Sequence, residues 1–228
     1  MSRALAPGSW AVVVPVKGGP RAKSRLRAPD GVDHGQLATA LALDTVTAVA
    51  GAVGPARVVV VTSDPTVAAT VAATGAVVVP DPGAGLDAAV LAGARRAAGT
   101  ASPAPRVAAL LGDVPSATAG DVATALAAAT PYDAAVVPDA DGVGTVLLTA
   151  RTSETLRPRF GGASALAHEQ AGAVRLDLDL PRLRRDVDDE ASLRRALSLG
   201  VGDHTAALLA HLGTPAADRD ERDDPRTA

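Results

Sequence analysis

WAVVVPVKGGPRAKSRL, residues 10–26, is the stretch from which the fold can be read. Trp10 to Val16 is an apolar, valine-rich run with Pro15 near its end, the pattern of a strand buried on both faces of a parallel sheet. The loop after such a strand lies at its carboxyl edge. Open α/β sheets bind ligands there, because loops meet helix amino ends with unpaired N–H groups. Lys17, Lys23 and Arg25 therefore gather at an anion site, and Gly18, Gly19 and Pro20 keep the loop irregular enough to turn backbone amides toward a ligand. Taken alone, the segment fits a polyphosphate grip and a solvated basic loop equally well.

Working outward, the chain alternates strands and helices. Asp33 and Gln36 form a capping-box pattern ahead of an alanine-rich helix that stops near Gly51 or Gly54. A strand over 57–61 follows, and Thr62-Ser63-Asp64-Pro65 opens the next helix with Pro65 in its first turn. A strand at 76–79 leads through PDPGAGLD to a helix at 88–98; a strand at 106–111 ends in Gly112-Asp113-Val114-Pro115, with a helix over 118–129 behind it. Strands at 134–137 and 145–149 then add antiparallel pieces to the parallel sheet, followed by a helix at 163–171, strands at 173–178 and 183–187, and two helical stretches within 189–212. This is one α/β domain over 10–212 with a mixed, mainly parallel sheet. The expectation for 1–9 is a flexible amino terminus, and for 213–228 a disordered, charged tail with little to bury.

Composition removes several classes of function. The apolar fraction of 47% is mostly Ala, Val and Leu, and one Trp, one Tyr and one Phe leave no aromatic platform for nucleic-acid bases. A net charge of -3 likewise argues against a polyanion binder. With no cysteine there is no disulfide, thiolate zinc site or thiol nucleophile, which fits a reducing cytoplasm. No run approaches the ~20 apolar residues of a membrane-crossing helix, so a soluble protein without membrane or nucleic-acid partners is expected.

Carboxylates supply the second half of the site. Asp113, directly after a buried strand, projects from the same sheet edge as the basic loop, and a carboxylate facing polyphosphate calls for a hard cation such as Mg2+. In Arg185-Asp186-Val187-Asp188, a core-facing Val187 puts Asp186 and Asp188 together on the opposite face. Asp189 and Glu190 read as the start of the following helix. His34, His204 and His211 show no ligand spacing and read as surface residues.

In order and spacing, Val16-Lys17, Lys23-Ser-Arg25-Leu26, Gly112-Asp113-Val114-Pro115, Gly144-Thr145, Arg159-Phe160-Gly161 with Ser164 and His168, and Asp186-Val187-Asp188 resemble the guanylyltransferases of coenzyme F420 biosynthesis. The resemblance spans 10–212. It implies a glycosyltransferase-A-like, Rossmann-like nucleotidyltransferase fold, a three-layer sandwich. It also implies transfer of GMP from GTP to phosphoenolpyruvate, 2-phospho-L-lactate or 3-phosphoglycerate, with phosphoenolpyruvate favoured by the overall motif pattern.

Carried onto this sequence, the resemblance implies that Asp113, Asp186 and Asp188 hold Mg2+, and that Thr145, Gly161 and Ser164 bind the acceptor acid. Lys17, Lys23, Arg25, Thr62, Gly85 and Asp87 serve the nucleotide, with Lys23, Arg25 and Asp113 catalytic. Asp87 stands where the family often has Asn; it either accepts from guanine N1–H and the exocyclic amine or caps a helix. His168 shares a helical face with Ser164 and either touches the acceptor or faces solvent. Arg159 holds the acid's carboxylate or pairs with a neighbouring carboxylate. Asp189-Glu190 replaces the family's common Thr-Pro, Val146 stands where some members have Asn, and the G-G-x-G-x-R signature of sugar-nucleotide transferases is absent. The competing readings are a nucleotidyltransferase for a sugar phosphate or molybdopterin, and a catalytically silent nucleotide-binding module. The sequence leaves a homodimer open.

Overall fold

In the computed structural model, residues 10–17, 26, 28–29, 31–99 and 105–210 are described. Lys23 and Arg25, the amino-terminal nine residues and the tail beyond 210, His211 included, lie outside them.

Seven strands form one sheet: β1 (Trp10–Val16), β2 (Val58–Thr62), β3 (Val77–Pro80), β4 (Arg106–Leu110), β5 (Ala134–Pro138), β6 (Thr145–Ala150) and β7 (Val174–Arg175). Their order is β3-β2-β1-β4-β6-β5-β7, and only β6 runs against its neighbours. Period-two alternation explains why these strands read as unbroken apolar runs. Val12, Val14, Val58 and Val60 face one core, while Val13, Val59 and Val61 face the other. Both faces are therefore covered, and the few polar strand residues, such as Thr149, are buried with hydrogen-bond partners.

Helices cover each face, giving the expected three layers. On the first face lie α1 (His34–Val53), α2 (Pro65–Ala73) and α4 (Ala119–Ala129); on the second lies α3 (Leu86–Ala98). Gly93 lets α3 sit directly on the sheet, since a Cβ there would stand 2.3 Å from Val13 Cγ1. The starts follow their caps: Asp33 accepts from the Gln36 amide, Asp64 from those of Thr66 and Val67, and Thr118 closes a capping box with Asp121. At the other end of α1, Gly54 takes φ 84° and its amide returns to Ala50 O.

Three sequence expectations are corrected. The strand at 173–178 shrinks to Val174–Arg175, because after Leu176 N donates to Val136 O the chain leaves β5 and Arg175 turns to pair with Asp177. The strand at 183–187 is absent. Pro181 instead begins a short helix, α6 (Pro181–Arg184), and the Arg184 guanidinium binds the carbonyls of Pro138, Asp139 and Leu178.

The third correction concerns α1. An 18-residue window within its 20 residues has mean hydropathy 1.4 and does match a membrane-crossing helix in length and composition, contrary to expectation. Half of that window is buried inside the fold. Within it, Asp44 accepts the amides of His204 and Thr205 at 2.9 and 3.0 Å, so it caps α8 (Asp203–Ala210) from 160 residues away. α1 is the central core helix of its layer.

Candidate active site

The carboxyl ends of β1 and β4 open into a cavity of about 620 Å³ lined by Lys17, Gly85, Leu86, Asp113, Asp186 and Asp188, among others. Lys17 is exposed there, one residue past β1. Gly85, with φ 93°, is the amino cap of α3 and brings backbone rather than side chain to the wall.

The Asp113 loop is held from three directions. Thr45 Oγ1 on α1 accepts the Val114 amide at 3.1 Å, Gly202 N donates to Pro115 O at 3.0 Å, and Val187 N donates to Asp113 O at 2.9 Å. Gly112 allows the loop to press on β1, since a Cβ would lie 2.7 Å from Pro15 O. The Asp186–Asp188 segment is thus tied by its backbone to the Asp113 loop and belongs to no strand. Val187 is nevertheless fully buried, in a satellite core with Leu37, Leu41 and Leu193, and this pin turns both flanking carboxylates to the cavity. Asp189 and Ser192 close a capping box at the start of α7 (Glu190–Leu199), as expected.

Electrostatics mark this corner. Burial first, then repulsion from Asp113, Asp188 and Asp139, pushes the Asp186 carboxyl up to about 7 against the pull of a backbone hydrogen bond. Among the described residues no three such side chains already converge at ligating distance. Hard oxygen donors crowded at mutual electrostatic cost, facing a cavity large enough for a small-molecule ligand, suit a divalent cation of the Mg2+ class.

The residues expected to bind the acceptor form a second cluster that does not line this cavity. Thr145, at the start of β6, and Ser164, first residue of α5 (Ser164–Gln170), are buried, and Ser164 Oγ lies 3.2 Å from Thr145 Oγ1. Gly161 is exposed with φ 109°. α5 has only seven residues, and its Ala165 amide is taken by Val143 O.

Three residues differ from expectation. Thr62 is buried and its hydroxyl accepts the Asp64 amide at 3.0 Å, away from the cavity. Asp87 neither caps α3 nor reaches the cavity; its Oδ1 accepts the Phe160 amide at 2.9 Å. His168 is fully buried, bonded through Nδ1 to Thr145 Oγ1 and through Nε2 to the Arg159 amide.

Sequence reading also missed Thr45, Asp81 and Asp139. Asp81 lines the cavity, while Asp139 binds the amides of Val143 and Gly144 and so shapes the turn into β6. The polar spacing DADGVG was the one available signal for Asp139.

Comparison with known proteins now decides the family. Residues 36–187 match the MobA-like NTP transferase domain. A phosphoenolpyruvate guanylyltransferase from Geodermatophilus obscurus is 47% identical over 218 residues, covering 92% of this chain and 99% of that protein. The chain belongs to the phosphoenolpyruvate guanylyltransferase family. A second family member, from Salinispora arenicola, is 49% identical over 92% of this chain and 97% of its own length. Among solved structures, the manganese complex of Rv0371c from Mycobacterium tuberculosis H37Rv shares the fold, with a TM-score of 0.53 at 21% identity over 83% of this chain and 98% of that one. The nucleotidyltransferase fold read from the sequence is thereby established.

Proposed function

We propose that this family member transfers GMP from GTP to phosphoenolpyruvate and releases pyrophosphate, in the cytoplasm and within coenzyme F420 biosynthesis. The observation that carries the reading is the facing of Lys17 and the Asp113, Asp186 and Asp188 carboxylates across one cavity, in a chain nearly half identical to phosphoenolpyruvate guanylyltransferases.

An acceptor phosphate oxygen attacks the α-phosphorus of GTP in line; the new P–O bond forms as the bond to the β-phosphate oxygen breaks, and the electron pair leaves with pyrophosphate. The nucleophile needs no general base, because a phosphate monoester has its second pKa near ~6 and is largely ionised at neutral pH. Lys17, with Lys23 and Arg25, binds the triphosphate and offsets charge on the departing group. Gly85 and its neighbours on the same loop approach the nucleoside. Thr145, Gly161 and Ser164 hold the acid. Asp113, Asp186 and Asp188 would hold Mg2+, which supplies charge neutralisation between the two reacting phosphates.

The test is pyrophosphate release from purified protein with GTP and Mg2+, offering phosphoenolpyruvate, 2-phospho-L-lactate, 3-phosphoglycerate and a sugar phosphate separately. Release with phosphoenolpyruvate alone is expected. Release with the sugar phosphate only, or with none of the four, refutes the proposal.

A further inference from the structure

Both ring nitrogens of His168 have partners, and one of these fixes the tautomer. The Arg159 amide lies 2.8 Å from Nε2. An amide N–H can only donate, so Nε2 is unprotonated and the neutral ring carries its proton on Nδ1. Nδ1–H therefore donates to Thr145 Oγ1, 3.0 Å away. Thr145 Oγ1 has Ser164 Oγ as its other neighbour, at 3.2 Å. Two hydroxyl protons now remain in the Thr145–Ser164 pair, and only one is used between them. In the opposite tautomer His168 would accept the second; here it cannot, and that proton needs an acceptor outside the pair.

We propose that His168 is a positioning residue for the acceptor acid: as the Nδ1–H tautomer it makes the buried Thr145–Ser164 pair a net donor toward an anionic oxygen, and through Nε2 it fixes the loop that presents Gly161. The inference rests on the acceptor role proposed above for Thr145, Gly161 and Ser164.

Asp87 completes the arrangement from the other side. Its Oδ1 takes the Phe160 amide, so consecutive amides of the loop are held by side chains from α5 and α3. The next amide, that of Gly161, has no protein acceptor among the described residues and follows two fixed amides on a backbone at φ 109°. The Phe160 ring meets the imidazole edge-on, centroids 5.0 Å apart, and holds its plane. Burial lowers the His168 pKa below the ordinary value, with Arg159 acting in the same direction and Asp87 opposing. The ring is neutral at pH 7.

Nitrogen-15 NMR of the imidazoles in the full chain reads the tautomer directly. A protonated Nδ1 and unprotonated Nε2 are expected for His168 at about pH 8, where the ring is neutral; a neutral ring with its proton on Nε2 overturns the proposal. Steady-state kinetics provide the second readout. His168→Ala should raise KM for phosphoenolpyruvate at least ~10-fold with KM for GTP within ~2-fold, as for a lost buried hydrogen bond serving one substrate. His168→Asn, which restores an N–H toward Thr145, should recover most of the loss, and His168→Gln should not. Equal rises in both KM values, or no difference between Asn and Gln, would assign His168 to packing alone and overturn the proposal. Wild-type protein inactive with every acid defeats the functional reading instead, a separate result in which the spectrum still decides the tautomer.

Discussion

Replacing Asp186 by Asn should make the metal-free protein more stable at pH 8 while abolishing turnover. The Asp186 carboxyl is raised from an ordinary 3.8 to about 7 by burial and by Asp113, Asp188 and Asp139. With the folded-state value above the unfolded one, the folded protein binds more protons between pH 3.8 and about 7, so stability falls as pH rises through that window. Below it there is no penalty, and above it the penalty is complete. At ~1.4 kcal/mol for each pH unit the ceiling is ~4 kcal/mol, and partial exposure of Asp186 to screening solvent brings the expected value to ~2 kcal/mol. Urea unfolding of wild type and Asp186→Asn at pH 5 and pH 8 checks this. Because pH 5 already lies inside the window, wild type should lose ~1 kcal/mol more than the variant between the two pH values, and Mg2+ should restore it in wild type only. Identical pH dependence in the two proteins would refute the reasoning.

Three further outcomes are expected. Asp113→Ala should eliminate pyrophosphate release while the thermal midpoint and circular dichroism stay near wild type; retained turnover would remove Asp113 from the site. Gly112→Ala places a Cβ 2.7 Å from Pro15 O and 3.0 Å from Val16 Cγ2, so it should cost ~1–3 kcal/mol in urea unfolding and lower turnover by displacing the Asp113 loop; a neutral result would show that the loop can move freely. Asp44→Ala should cost ~1–2 kcal/mol and speed hydrogen exchange in α8, because two amide acceptors are lost from its first turn; unchanged exchange would mean that packing alone holds α8.

Much of the fold was legible because its causes are local. A strand buried on both faces is apolar at nearly every position, and β1 and β2 show this directly as valine runs. Caps at Asp33, Asp64, Thr118 and Asp189 each act on amides two or three residues away, so they appear in the sequence as they do in the structure. The 183–187 segment misled for the same reason. Its alternation was real, and Val187 is buried, yet no neighbouring strand pairs with it and Pro181 had already begun a helix.

The sequence by itself determined the layered β-α architecture, the family motifs and the concentration of Lys17, Asp113, Asp186 and Asp188 at one sheet edge, because periodicity, caps and the ends of strands are written in neighbouring residues. Tertiary structure alone decided the roles of Thr45, Asp44, Asp87 and His168. Each meets a partner distant in the chain: Thr45 the Val114 amide 69 residues on, Asp44 the first turn of α8, Asp87 the Phe160 amide 73 residues on, and His168 the Thr145 hydroxyl 23 residues back. A polar side chain buried by such a contact looks in sequence like any exposed one, since its low-energy environment is created only when the fold closes around it.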